Sequence, residues 1–470
     1  MGGLPKGWAW ATLQDVAAWG SGGTPKAKVT DYYDGDIPWA VIGDMVDGVV
    51  AKTARCITED GLASSSAKWI PSGSVLVAMY GTGSIGKVAR TAVPLTSNQA
   101  IAHAVPFPEV LDPGFLFWYL RSQRGLLEAA GKGGAQLNIS QSVLKQWPIP
   151  LPPLAEQHRI VESLEEQLSR LDAAERTLLL SRKRVEVLRK SVFTSLVPKH
   201  VPADWTVTTV GEAGTVELGR ARHPDWHNGP EMRPYLRVAN VFEDRIDTSS
   251  VMEMDFSGIF DKYKLREGDI LLNEGQSPHL VGRPAMYRGV PETVAFTNSL
   301  LRFQAGPEVL PEWALMVFRR HLHARRFMRE VRITTNIAHL SSKRLKAVEF
   351  PIPPLEVQKE LIQRCDELSS GVEAMGREID RATRRADALR SALLRKAFNG
   401  TLAPQDSSDE LAATLLARIA VERDDAKPAR QAAKRAARPH KVTAAAAAAK
   451  AAPAPTPAPS TSVQQELFDQ

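Results

Sequence analysis

The chain has 470 residues, 43% of them hydrophobic and 24% charged, which fits a soluble globular protein of about three folded units at roughly 150 residues each. Its two cysteines, Cys56 and Cys365, stand apart from any CxxC or His/Cys cluster, which excludes a disulfide framework and a structural zinc site; without a leader-like start or an apolar run near the roughly 18 residues of a membrane span, the protein is expected in the cytoplasm. The net charge of +6 belongs to the tail, where seven basic and no acidic residues lie between Lys427 and Lys450 and leave the rest of the chain at −1, so overall charge is no argument for nucleic acid.

Residues 1–150 are rich in Gly, Pro and β-branched residues, with short apolar runs such as 75–79 set between turn residues. This is the pattern of a mixed α+β domain with many short strands. A helix is expected over 113–130, on Phe115, Tyr119, Leu126 and Leu127. Pro152-Pro153-Leu154 then opens a long helix, 151–198, because proline suits the first helical turn. A second mixed domain, 199–352, has a run at 269–272 and an expected helix over 310–330 on Leu315, Phe318 and Leu322. Pro353-Pro354-Leu355 opens a second long helix, 353–400. A short helix is expected over 401–424, opened by a capping box of Ser407 and Glu410 and carrying Leu411, Leu415 and Ile419. The basic, Ala/Pro-rich remainder, 425–470, has the composition of a disordered tail.

The order is one unit written twice. Trp8 pairs with Trp205 at an offset of 197, residues 73–77 with 268–272 at 195, and Ser97-Asn98 with Thr297-Asn298 at 200. Pro152-Pro153-Leu154 with Gln157 pairs with Pro353-Pro354-Leu355 and Gln358 at 201. Each long helix carries an apolar seam at alternating steps of four and three. In the second helix it runs Leu361, Cys365, Leu368, Val372, Met375, Ile379, Ala382, Ala386, Leu389 and Leu393. In the first it starts at Val161 and is broken by Glu175, Arg182 and Arg189. A seam this long predicts an antiparallel coiled coil between the two helices, each about 65 Å long at ~1.5 Å per residue. Gly371 and Gly376 weaken the second helix, and close backbone approach is the expected reason for them.

Gly81-Thr-Gly83-Ser-Ile-Gly86 spells GxGxxG after an apolar strand, but strand-like sequence stopped by Pro94 follows, and no acid lies in Gln99 to Val105. A dinucleotide site needs a helix and an acid there, so this turn is not one. No P-loop, HExxH, GxSxG or nucleophile/His/acid cluster is present, and no catalytic centre is visible. Between Arg319 and Lys346, by contrast, nine basic residues stand against one acid around Thr334-Thr335-Asn336, a footprint suited to phosphates and base edges. The first half has a milder counterpart in Arg121, Arg124, Lys132 and Lys145 beside Gly133 to Asn138.

The order of domain, helix, domain, helix resembles the DNA specificity subunit of type I restriction-modification enzymes. The resemblance is carried by Leu4 to Trp8, Ser21-Gly-Gly-Thr-Pro25, Ile37-Pro-Trp39, Gly81 to Lys87, Ser97-Asn-Gln99 and Ile149 to Leu154 with Gln157. In the second half it is carried by Pro351 to Leu355 and Leu394 to Gly400 leading into Leu402 to Asp406. It implies an α+β fold class: two tandem mixed α/β target-recognition domains, each followed by a long helix, the helices paired as an antiparallel coiled coil. It further implies a non-catalytic reader of a bipartite, asymmetric double-stranded DNA target. Two adenine-methyltransferase subunits and restriction/translocase subunits would dock on it, with S-adenosylmethionine in the methyltransferase and no cofactor here. The DNA contacts expected in the first domain are Lys26, Tyr80, Thr82, Ser84, Lys87, Asn98, Gln136 and Asn138. In the second they are Arg220, Arg222, Asn273, Gln276, His279, Arg283, Arg332, Thr335 and Asn336. The ending Gln464 to Phe468 resembles the peptide that docks on the replication sliding clamp. A coiled-coil DNA-binding scaffold and an orphan specificity subunit outside a restriction system are the alternatives.

Overall fold

The computed structural model describes residues 3–81, 83–133, 137–334 and 337–422. They form two compact units, one from the described residues up to Glu165 together with those from Leu393 onward, the other Glu166–Ala392. The division cuts across both long helices instead of falling at their ends, because each domain takes part of each helix into its own packing.

In the first unit, strand Ala9–Thr12 pairs antiparallel with Pro148–Leu151, the strand that runs into the first long helix. A five-stranded sheet follows the order Ala17–Ser21, Ile101–Pro106, Val75–Ala78, Val88–Thr91, Val49–Val50. A smaller sheet places Tyr33–Ala40 between Cys56–Ile57, antiparallel, and Thr96–Ser97, parallel. The helix expected over 113–130 is two, Pro113–Ser122 and Arg124–Ala129. Asp112 caps the former, its Oδ1 accepting from Phe115 N at 2.8 Å, and residues 114–120 are buried.

The second unit repeats this plan. Thr206–Thr209 pairs with Glu349–Ile352. The main sheet runs Gly214–Leu218, Leu300–Ala305, Ile270–Asn273, Pro284–Met286, the same order as the first unit one edge strand short. Its smaller sheet again sets a middle strand, Met232–Leu236, between an antiparallel and a parallel neighbour, Met252–Asp255 and Ala295–Phe296. Helix Pro311–His323 backs the main sheet, and Phe303, Phe318 and Phe350 pack with ring centroids 5.1 to 5.9 Å apart.

Both long helices, Leu154–Leu196 and Leu355–Phe398, start on the same device. The buried Gln157 accepts from Asp112 N at 2.9 Å and donates to Val110 O and Pro152 O at 2.8 and 3.0 Å. Gln358 accepts from Leu310 N at 2.9 Å and donates to Glu308 O and Pro353 O, both at 2.8 Å. Each glutamine ties the first helical turn to the loop before the domain's own helix, which is why the proline pair is followed by Gln at a fixed distance.

The helices pair antiparallel. Arg390 bonds Asp172 and, at 3.0 Å, Glu175, whereas Arg182 meets Asp380 at 3.4 Å, so advancing along one helix means retreating along the other. Two of the three polar breaks in the first seam are therefore cross-helix ion pairs; the third, Arg189, pairs with Glu186 of its own helix. The second seam is narrower than expected. Cys365, Val372 and Ala386 are buried, but Leu368, Met375 and Leu389, the alternate set, are exposed by 42 to 51%. Those three face out, whereas Leu361, of the same heptad set, packs against the core at the helix start. Gly371 and Gly376 also depart from expectation: a Cβ at either would meet nothing within 4 Å, so no close backbone approach explains them.

The last described helix spans 412–422, starting later than expected. Ser407 and Glu410 form no capping box; Asp406 instead accepts from Ser408 N and Oγ at 2.9 and 2.7 Å and holds a turn there. Leu415 and Ile419 are buried, and Leu411 is exposed. No described helix is long and apolar enough to cross a membrane.

Candidate nucleic-acid interface

The glycine-rich stretch of the first domain is a hairpin turn. Gly86 N donates to Ala78 O and Ala78 N to Lys87 O, at 3.0 and 2.9 Å, closing the loop between strands Val75–Ala78 and Val88–Thr91. Gly81, Gly83 and Gly86 take φ of +94°, +72° and +74°, the region that favours glycine. The chain thus returns as a strand, with no helix N-terminus to receive phosphates.

Beside this turn lies the polar loop 132–138. Tyr80 and Asn138 form an antiparallel bridge, as do Lys132 and Asn138, and Gly81 N donates to Leu137 O at 3.2 Å. A third segment joins them, since Met79 N donates to Ala100 O at 2.8 Å. A fourth crosses above it: Gly23 N bonds Ser97 O at 2.8 Å, and a Cβ on Gly22 would sit 2.1 Å from that same oxygen. The glycines before Thr24-Pro25 allow this crossing, and it leaves Lys26 exposed at the rim.

The second domain assembles the same four segments. Gly275–Gln276 pairs with Ile337–His339, which pairs with Arg332–Thr334. Glu274 N donates to Ser299 O at 3.0 Å. Gly219 crosses over Thr297, where a Cβ would come 2.3 Å from the Thr297 oxygen. His339 Nδ1 stands 3.2 Å from Glu274 Oε2.

On these rims Lys26, Tyr80, Asn138, Arg222 and His279 are exposed, and Ser84, Lys87, Asn98 and Gln276 are half-buried. Asn98 Oδ1 accepts from Ala100 N at 3.2 Å, and Gln276 Oε1 from Ser277 N at 3.0 Å. Two expected contacts, Arg220 and Arg283, are bonded within the domain itself, and a third, Asn273, is enclosed by it. Arg220 is buried, bonded to Asp255 O, with its guanidinium 4.0 Å from the Trp226 ring centroid. Arg283 donates to Val241 O at 2.5 Å and lies over Phe242; burial lowers its pKa from the usual arginine value. Asn273 is fully enclosed at the end of its strand. Thr82, Gln136, Thr335 and Asn336 lie outside the described residues, as do the Arg332 side chain and the tail peptide 464–468.

Two cations of the basic stretch in the second domain, Arg319 and Arg326, are neutralised by acids. Arg319 bonds Glu243 at 2.9 Å and approaches Asp244 at 3.5 Å. Arg326 bonds Glu330 and Glu349, each at 2.7 Å. Burial works against the Glu243 carboxylate, but the hydrogen bond from His323 and the Arg319 charge outweigh it and bring its pKa down to about 2. Exposed cations remain at Arg325, Arg329, Lys343 and Lys346. They were part of the basic count in the sequence but not among the expected contacts. A cleft of about 760 Å³ in this unit is lined by Glu243, Asp244, Arg288, Arg319 and Cys365, and its Arg288 and Arg319 are bound to Asp244 and Glu243. Among the described residues, no three of His, Cys, Asp or Glu converge as a metal site.

Two copies of one plan, each with a glycine turn beside a polar hairpin, are matched by the family described as the type I restriction modification DNA specificity domain, over residues 5–180 and 202–383. The chain belongs to this family. It is 25% identical over 448 residues to the EcoKI specificity subunit of Escherichia coli K12, covering 90% of this chain and 97% of that one. To the StySPI specificity subunit of Salmonella potsdam it is 26% identical over 450 residues, covering 90% and 96%. Among solved structures, one from a study of type I restriction-modification complex assembly shares the fold with a TM-score of 0.68 at 21% identity, covering 85% of this chain and all of that one. The specificity subunit of Thermoanaerobacter tengcongensis gives 0.59 at 20% identity, covering 85% and 98%.

Proposed function

We propose that this specificity protein reads a bipartite, asymmetric DNA target, one block with each domain, for a type I restriction-modification complex. The observation that carries the reading is the recurrence of the four-segment rim. A duplicated reader presents two similar surfaces to two half-sites, and the different side chains on them, Tyr80 and Asn138 against Gln276 and His279, make the two blocks differ. The long helices act as the ruler that sets the unspecified spacer. The outward row of Leu368, Met375 and Leu389 offers apolar surface for docking two adenine-methyltransferase subunits, with restriction subunits joining them. Catalysis and S-adenosylmethionine belong to those partners; this chain supplies recognition alone. Substituting Tyr80 and Asn138 together should relax or abolish recognition of one block and leave the other intact. Equal loss at both blocks refutes the two-reader assignment.

A further inference from the structure

The two domains hold the arriving long helix in different ways. In the second unit the first long helix ends at Leu196 and runs through residues 197–205 into strand Thr206–Thr209, so the peptide chain itself ties helix exit to domain. In the first unit the second long helix arrives with Phe398 edge-on to Phe115 and Tyr119, at 5.4 and 5.3 Å. The strand to which its exit corresponds, Ala9–Thr12, lies at the other end of the sequence, and no neighbouring peptide segment makes that tie.

The segment after the helix makes it instead. Gly400, at φ +69°, sits against Pro5 and Trp8 so closely that a Cβ would come 2.4 Å from Pro5 Cγ. Ala412 N donates to Gly7 O at 3.1 Å. Arg159, in the first turns of the first long helix, donates to Asp409 at 2.6 Å, and the Asp409 side chain is only 9% exposed. Glu156, one turn earlier and buried, takes hydrogen bonds from Trp8 Nε1, at 3.0 Å, and from the Gln405 side chain. Residues 400–412 therefore touch, in one place, the N-terminal strand's approach and the start of the first long helix, while continuing covalently from the second.

We propose that this segment is a clasp replacing the peptide link that the second unit has, and that Arg159 and Asp409 are positioning residues that hold the two long helices in one register. The inference rests on the reader-and-ruler function. Gln157 fixes the start of one helix on the domain, and the clasp fixes the exit of the other to the same few residues. A slip of one helical turn, ~5.4 Å, breaks every clasp contact. It also shifts the ruler by between one and two base pairs at ~3.4 Å each. The clasp thus selects spacer length and leaves the sequence of each block untouched.

The test is to co-express the full chain with its adenine methyltransferase and map N6-methyladenine across a genome, for wild type, Asp409→Asn, Asp409→Arg and the swap Arg159→Asp with Asp409→Arg. The expected result is that both Asp409 single variants keep the two sequence blocks but methylate sites with altered spacer length about tenfold more often, the effect of about 1.4 kcal/mol on register, and that the swap restores a single spacer. A merely structural role would lower total methylation without changing the spacer distribution. Unchanged spacer selectivity in both single variants overturns the clasp, and so does lower methylation at one fixed spacer. A wild-type chain with no split motif overturns the reader function itself, and this inference with it.

Discussion

Replacing Gln358 by alanine should loosen the second domain from its long helix without disturbing the first unit. The side chain is fully buried and makes three hydrogen bonds, with Leu310 N, Glu308 O and Pro353 O, at 2.8 to 2.9 Å. Truncation leaves one backbone N–H and two carbonyls without that partner, at about 1–3 kcal/mol for an orphaned buried group. Carbonyls tolerate this better than the donor, so the total is expected near 3 kcal/mol. At about tenfold per 1.4 kcal/mol, this corresponds to amide exchange roughly a hundredfold faster across the opening segments around residue 310 and the helix start. Hydrogen exchange resolved by peptide reads both units in one experiment. Gln157→Ala should give the mirror result, with protection lost around Asp112 and kept in the second unit. A change below about 1 kcal/mol, or equal loss in both units from either variant, refutes the argument that each glutamine clamps its own joint.

Gly371→Ala and Gly376→Ala should each stabilise the second unit by about 1 kcal/mol, seen as a rise in Tm of roughly 2–4 °C, since a methyl at either position meets open space; a fall in Tm contradicts the packing described. Arg325→Ala and Lys343→Ala should each flatten the salt dependence of DNA affinity by about 0.9 in log–log slope, whereas Arg326→Ala, whose cation is bound to Glu330 and Glu349, should lower stability and leave the slope alone. Titration of binding against salt for the three variants separates the cases. His103, held neutral by burial and by the Lys68 charge, has its pKa lowered to about 4. The unfolded chain takes up this proton near pH 6.5 and the folded one only near 4, so stability is full above 6.5 and falls by about 3 kcal/mol on acidification to 4. The denaturation midpoint of the first unit followed against pH should show that slope, and His103→Gln should remove it.

The repeat was legible in the sequence where backbone geometry demands one residue type. Gln157 and Gln358 each satisfy one N–H and two carbonyls, and few side chains both donate and accept in that span. The glycines at 22 and 219 permit a backbone crossing that any Cβ would block. What stayed hidden depends on partners distant in sequence. Nine basic residues in 28 read as a phosphate-binding surface, yet the acids that neutralise Arg319, Glu243 and Asp244, lie on another hairpin. Apolar periodicity marked Leu368, Met375 and Leu389 as seam, since a pattern counts apolar residues whatever covers them, and the fold turns that row outward. Arg220 and Asn273 have side chains suited to bases, but one stacks on Trp226 and the other closes a strand. The rim itself, four segments in each half, was readable only as scattered polar stretches, because strand pairing brings them together.

Whether two similar domains read two different blocks is decided by mapping N6-methyladenine in a genome where the full chain works with its methyltransferase, beside a variant whose first-domain rim carries Tyr80→Ala and Asn138→Ala. The wild type should methylate one split motif, two short blocks around an unspecified spacer of one length, and the variant the same second block and spacer with a degenerate first block. A continuous motif in the wild type, or both blocks degrading together in the variant, would show that the two domains do not read separate blocks.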